Sequence, residues 1–125
     1  MAKNRNREST RYYSDKQENS VCEALGGRRQ ANSGAAKFCA GDVTTESFLI
    51  ECKTCMADKE SFSIKKEWWE KNRLEAFQKR KPNRAIAFNF GPGQENLYII
   101  SEELMKVLVD CLESSEGKKH LDIGK

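Results

Sequence analysis

The stretch Gly41-Asp42-Val43-Thr44-Thr45-Glu46-Ser47-Phe48-Leu49-Ile50-Glu51-Cys52-Lys53 constrains this chain more than any other. It reads as two short β-strands joined by a tight turn centred on Thr45-Glu46. Side chains alternate faces along a strand, so Glu51 and Lys53 point one way and Cys52 the other. The turn returns the first strand beside the second and brings Asp42 close to Glu51. Two carboxylates and a lysine converging at the end of a buried hairpin suit a hard cation with a charged helper. On an exposed hairpin the same residues would be solvated charges, and the rest of the chain must separate the two cases.

Charge is distributed in blocks. The chain of 125 residues has a net charge of +3. Segments 1–11, 26–40 and 59–84 carry +3, +3 and +5, while 12–25, 41–58 and 85–125 carry −2, −3 and −3. Basic segments thus flank an acidic centre, a pattern that suits a surface gripping a polyanion around a divalent cation. The length supports one domain with a core that needs no staples. No apolar run approaches the roughly 20 residues of a membrane span, and the basic start lacks the apolar stretch of a secretory signal. Five cysteines, an odd number without a framework pattern, point to reduced thiols in a cytoplasmic protein.

Residues 1–11 are polar and aperiodic and read as a flexible basic arm; 114–125 read as a flexible tail, leaving 12–113 as the folded domain. Ser14-Asp15-Lys16-Gln17 has the spacing of a capping box and opens a helix that Gly26-Gly27 should stop. Val21, Cys22 and Leu25 form its apolar stripe, and Glu18 falls on that stripe while Glu23 does not. A carboxylate on a buried stripe needs a partner, whereas a first-turn glutamate needs only the helix dipole. The small-residue run Asn32 to Ala40 can bring backbone N–H groups near a phosphate, a weak signal shared by many loops.

A second helix is expected from Ser63 or Ile64 to about Arg80, ended by Lys81-Pro82, with Ile64, Trp68, Trp69, Ala76 and Phe77 as its apolar side. The tryptophans fit core or dimer contacts better than base-stacking platforms. Ala85–Phe90 and Leu97–Ile100 read as strands around a Gly-Pro-Gly turn. Ser101 caps a last helix with Leu104, Val107, Leu108, Cys111 and Leu112 on one stripe. The expected fold is α/β: a mixed central sheet flanked by helices, in the order α-β-β-β-α-β-β-α.

In that order, Gln17-Glu18, Gly26-Gly27-Arg28 to Asn32-Ser33-Gly34-Ala35, Gly41-Asp42-Val43 and Ile50-Glu51-Cys52-Lys53 resemble the PD-(D/E)XK nuclease superfamily. The likeness is closest to the small Holliday-junction resolvases of archaea and phages, and it covers about residues 12–112. It implies a restriction-endonuclease-like fold and a homodimer acting on branched or duplex DNA. It also implies catalytic roles for Glu18, Asp42, Glu51 and Lys53. One departure is visible: the proline that precedes the aspartate in the superfamily is Gly41 here. Glu23 is the other candidate for the first-helix acid, although the burial pattern favours Glu18.

Hydrolysis of a phosphodiester needs a nucleophilic water, neutralisation of charge on phosphorus oxygens and help for the leaving alkoxide. Asp42, Glu51 and the Cys52 backbone carbonyl are expected to hold Mg²⁺, or Mn²⁺ in its place, with Glu18 joining through a water or at a second position. Lys53 would place positive charge on the water or the phosphate. Arg28 and Ser33 resemble family positions that touch the DNA backbone near the cut. Arg29, Lys37, Lys65 and Lys66 complete the expected DNA-facing set.

Other constellations are poorer. Cys52-Lys53-Thr54-Cys55 has CxxC spacing, but the lack of a second pair and the place of His120 in the tail disfavour zinc and a Cys–His nucleophile, and its overlap with the candidate metal strand, away from a strand-to-helix junction, disfavours a redox pair. Gly91-Pro92-Gly93 lacks the lysine of a P-loop. The competing functions are another PD-(D/E)XK enzyme of nicking, repair or restriction type, and a non-catalytic nucleic-acid-binding module.

Overall fold

The computed structural model of the chain describes residues 2–30 and 41–114, with the backbone alone for 2–9. Three helices and a five-stranded mixed sheet follow one another as expected: α1 (Ala2–Leu25), β1 (Arg28–Arg29), β2 (Asp42–Thr44), β3 (Phe48–Cys52), α2 (Lys66–Gln78), β4 (Asn83–Phe88), β5 (Leu97–Ile99) and α3 (Glu102–Glu113). The strands lie in sequence order across the sheet. β3 and β4 are parallel, joined by the α2 crossover, and the other three pairs are antiparallel.

Strand alternation separates two layers. Val43, Ile50, Cys52, Ala85 and Ala87 form one buried face, on which Val21 of α1 packs with Phe48, Tyr98 and Ile100 around it. Leu49, Glu51 and Ile86 point to the other face by alternation, and all three are buried. There α2 turns Asn72 and Ala76 inward. Burying each large aliphatic side chain contributes about 1.5–3 kcal/mol, so the central strands β3 and β4 anchor the fold.

Polar contacts set the height of α2 over the sheet. The Asn72 amide donates to the Ala85 carbonyl at 3.3 Å, and the Arg84 guanidinium donates to the Trp69 carbonyl at 2.6 Å. At the other end, the Lys81 ammonium donates to the Thr45 carbonyl at 2.7 Å, tying the exit of α2 to the β2–β3 turn. That turn is closed by Thr45, whose N–H donates to the Phe48 carbonyl and whose hydroxyl accepts from the Phe48 N–H.

Two of the helices depart from the sequence expectation. α1 begins at Ala2, well before the Ser14 capping box, so the segment read as a flexible arm is helical here. Residues 2–13 contain no glycine or proline to oppose helix extension. α2 starts later, at Lys66, and leaves Ile64 and Phe77 exposed while burying Asn72. α3 is capped as expected, the Ser101 hydroxyl accepting from the Leu104 N–H, but none of its residues is buried. Met105, Val107, Leu108 and Val109 are all exposed. Residues 115–125, read as a tail, lie outside the described residues. Among the described residues no helix is long and apolar enough to cross a membrane.

Arg80 ends α2 with φ = 57°, in the left-handed region that glycine adopts at little cost. The Lys81 N–H reaches back to the Ala76 carbonyl at 2.8 Å, the long bond of a Schellman ending. Arg80→Gly should therefore raise stability by about 0.5–1 kcal/mol in chemical denaturation. Destabilisation by a similar amount would show that the arginine side chain outweighs the backbone cost.

Candidate metal centre

The site is built on the β2–β3 register, in which Asp42 stands directly opposite Glu51. Both side chains point to the face covered by α2, away from the Val43–Ile50–Cys52 core. α2 adds a third acid: one carboxylate oxygen from each of Asp42, Glu51 and Glu75 lies within 4.8 Å of the other two. Glu51 is 4% exposed, and Asp42 and Glu75 are half-buried.

Two lysines attend these acids. The Lys53 ammonium lies 2.9 Å from Glu51 Oε2 and 4.2 Å from the centre of the Trp68 ring. It is clamped between a carboxylate and an aromatic face, which removes much of its rotamer freedom. Its backbone is fixed as well, the Lys53 N–H donating to the Ala87 carbonyl at 2.8 Å. Trp68 is in turn packed against Phe62, which stacks on Phe88. The tryptophan therefore does packing work as expected, and its ring also aims the site lysine. Lys79, one turn beyond Glu75, approaches Asp42 Oδ2 at 3.8 Å.

The acids are incompletely neutralised. Glu51 Oε1 is buried and accepts no hydrogen bond. A buried carboxylate oxygen left in this state costs about 1–3 kcal/mol or more, unless a cation or donor is supplied. Burial pushes the Asp42 carboxyl up to about 7, with Glu75 and then Glu51 adding repulsion that Lys79 and Lys71 partly offset. An oxygen-only donor set on converging strands and a helix, short of positive charge, fits a hard divalent cation.

Glu18 is elsewhere. It is buried on α1, as its place on the apolar stripe implied, and Glu23 is exposed. Its carboxylate, however, lies outside the Asp42–Glu51–Glu75 group. Arg29 Nε donates to Glu18 Oε1 at 2.9 Å and the Gly41 N–H donates to Oε2 at 2.7 Å. A Cβ at position 41 would collide with this carboxylate. A proline there would also lack the N–H, so the Glu18 contact by itself calls for glycine at position 41. Gln17, beside it, binds α1 to the sheet: its side chain accepts from the Thr54 hydroxyl at 2.6 Å and donates to the Ala87 carbonyl at 3.5 Å.

The remaining expected residues divide. Arg29 is engaged by Glu18 and by Asp15, the latter at 2.7 Å, so its charge holds α1 to β1. Arg28, Lys65 and Lys66 are exposed, and Lys65 lies 5.8 Å from the Trp68 ring at the start of α2. Ser33 and Lys37 lie outside the described residues. The Cys52 thiol belongs to the core on the opposite face, and burial pushes its pKa up, leaving it inert. Cys52 and Cys55 are both free, the latter donating to the Asn89 carbonyl at 3.3 Å. A cleft of about 240 Å³ lies apart from the acids, between α1 and the β4–β5 turn, lined by Tyr13, Lys16, Gln17, Thr54 and Gln94 among others.

Glu75 is the residue that sequence reasoning missed. Its signal is the Lys71–Glu75–Lys79 ridge at four-residue spacing beside the inward pair Asn72 and Ala76.

The raised Asp42 carboxyl has a consequence for stability without metal. The folded protein keeps a proton that an unfolded aspartate releases near pH 4. This group's contribution is thus full below about pH 4 and is lost as pH rises toward 7. In EDTA, Asp42→Asn should flatten the pH dependence of stability and stabilise the protein above pH 7 by on the order of 1–3 kcal/mol. An unchanged pH profile in the variant would contradict the assignment.

Comparisons with models of known protein families, with curated proteins and with solved structures found no match to this chain.

Proposed function

We propose that the chain is a Mg²⁺-dependent endodeoxyribonuclease of the PD-(D/E)XK type, acting on branched DNA in the manner of a Holliday-junction resolvase. The observation that carries this reading is Glu51: a buried carboxylate with one oxygen on Lys53 and the other without a partner, directly opposite Asp42. A module that only bound nucleic acid would gain nothing from acids converging beside its basic surface. Their repulsion of a phosphate would weaken binding.

Asp42 and Glu51 would hold the cation, which when bound supplies Lewis acidity toward a phosphate oxygen and acidifies a coordinated water. The protein's own groups do the rest. Lys53, fixed by Glu51 and Trp68, presents an ammonium donor where negative charge develops on the phosphate. Water attacks phosphorus and gives up a proton to solvent, the ester P–O bond breaks, and the departing alkoxide takes a proton from solvent. The exposed Arg28, Lys65 and Lys66, with Lys71 and Arg73 along α2, offer charge for the DNA backbone.

A junction has two-fold symmetry, and cutting two opposed strands calls for two sites related by the same symmetry. The apolar side chains exposed along α3, next to the edge strand β5, support a homodimer as the working form. Reduced thiols and cytoplasmic action on DNA complete the proposal.

The test is a panel of labelled linear duplex, flap, fork and four-way substrates, with and without Mg²⁺, using protein whose mass in solution is measured alongside. Metal-dependent cleavage of the four-way substrate by a dimer is expected, with at least a ~10²-fold loss of rate in Asp42→Asn and in Glu51→Gln. Both variants should still bind the junction in Ca²⁺. Equal rates on linear and four-way DNA would replace the resolvase by another nuclease of the same type. Salt-sensitive binding without turnover would leave only a binding module.

A further inference from the structure

We propose that Glu75 on α2 is the third carboxylate of the cation site, and that Glu18 is a positioning residue which never enters it. The inference rests on the cation-dependent reading of the same site and identifies the donors that would close it.

Geometry separates the two glutamates. Glu75 brings an oxygen within 4.8 Å of oxygens of both Asp42 and Glu51. Oxygens sharing one Mg²⁺ sit about 2 Å from the ion, hence about 3–4 Å from one another, so small side-chain rotations close the set. Glu51 Oε1, buried and without a hydrogen bond, supplies an independent sign that the group lacks a cation-like partner. Both oxygens of Glu18, by contrast, are already used by Arg29 and by the Gly41 N–H. Moving Glu18 into the site would strip the buried Gly41 N–H of its acceptor and leave Arg29 with Asp15 as its remaining acid partner.

The two acids therefore do different work. Glu18 fixes the residue immediately before Asp42 and so sets where β2 presents its carboxylate. Glu75 is carried by a helix whose register over the sheet is set by Asn72 and Ala76. Lys79, near Asp42, occupies the same face one turn on and would be released from Asp42 as the cation enters. That release leaves an ammonium beside the site for the arriving phosphate.

The test is Mn²⁺ binding to the full chain without DNA, followed by the paramagnetic resonance of free Mn²⁺ at pH 8. Glu75→Gln should weaken binding at least tenfold, since the charge count of the ligands sets affinity for a hard cation. Glu75→Asp should recover part of the loss. Glu70→Gln, an exposed acid on the same helix, should stay within about twofold of the parent. Glu18→Gln should hold Mn²⁺ within about threefold while its melting temperature falls, the pattern of a support rather than a ligand. The inference is overturned if Glu75→Gln, folded by circular dichroism, matches Glu70→Gln, or if Glu18→Gln loses as much affinity as Glu75→Gln. Parent protein that binds Mn²⁺ with this residue dependence yet cleaves no DNA would remove the nuclease reading and leave Glu75 in place.

Discussion

Glu51 sits on the central strand of the sheet under α2, where a charge is costly to bury, and the fold around it compensates only one of its oxygens. Lys53 can serve it because alternation puts both on one face, and Trp68 keeps that lysine from swinging to solvent. Asp42 arrives opposite through the β2–β3 register, and Glu75 from above through the α2 crossover. Each addition brings more negative charge toward a carboxylate that Lys53 neutralises through one oxygen only. Such an arrangement is expensive for a protein that needs only to fold, and that cost is what supports the proposed cation site.

The architecture separates an apolar platform from the acidic face. One face of the sheet is apolar and closed by α1, so Val43, Ile50, Cys52 and Val21 give the strands a fixed platform. The other face carries the acids, and α2 covers it through a few directed contacts: Asn72 to Ala85, Arg84 to Trp69, and Lys81 to the hairpin turn. Glu18 belongs to the first layer even though it lies close in sequence order to what a nuclease would use. Its hold on Gly41 is the link through which the first layer places Asp42.

Short-range rules made much of this legible from sequence. A strand of fixed period places Glu51 with Lys53, but a turn centred on Thr45-Glu46 would set Asp42 opposite Leu49; the observed pairing of Thr44 with Leu49 centres the turn on Glu46-Ser47 and brings Asp42 opposite Glu51. The burial of Glu18 followed from its phase relative to Val21, but its partners did not, because Arg29 and Gly41 reach it through tertiary contacts. Glu75 was illegible for a related reason. The large apolar residues of α2 suggested a buried side including Ile64 and Phe77, yet both are exposed and the helix rests on Asn72 and Ala76. A small residue and a hydrogen-bonding amide let α2 approach the sheet closely, and that choice alone rotates Glu75 toward Asp42. The stripe on α3 was read correctly as amphipathic, but its apolar side finds nothing to cover it among the described residues.

The proposed divalent-cation site is shared by Asp42, Glu75 and the Glu51 oxygen that accepts no hydrogen bond. Anomalous X-ray scattering from crystals grown with Mn²⁺ tests it most directly. A manganese peak is expected about 2.0–2.3 Å from oxygens of all three residues, with Glu18 still on Arg29 and Gly41. A crystal with no manganese between these three acids, or with manganese held by Glu18 in place of Glu75, would contradict it.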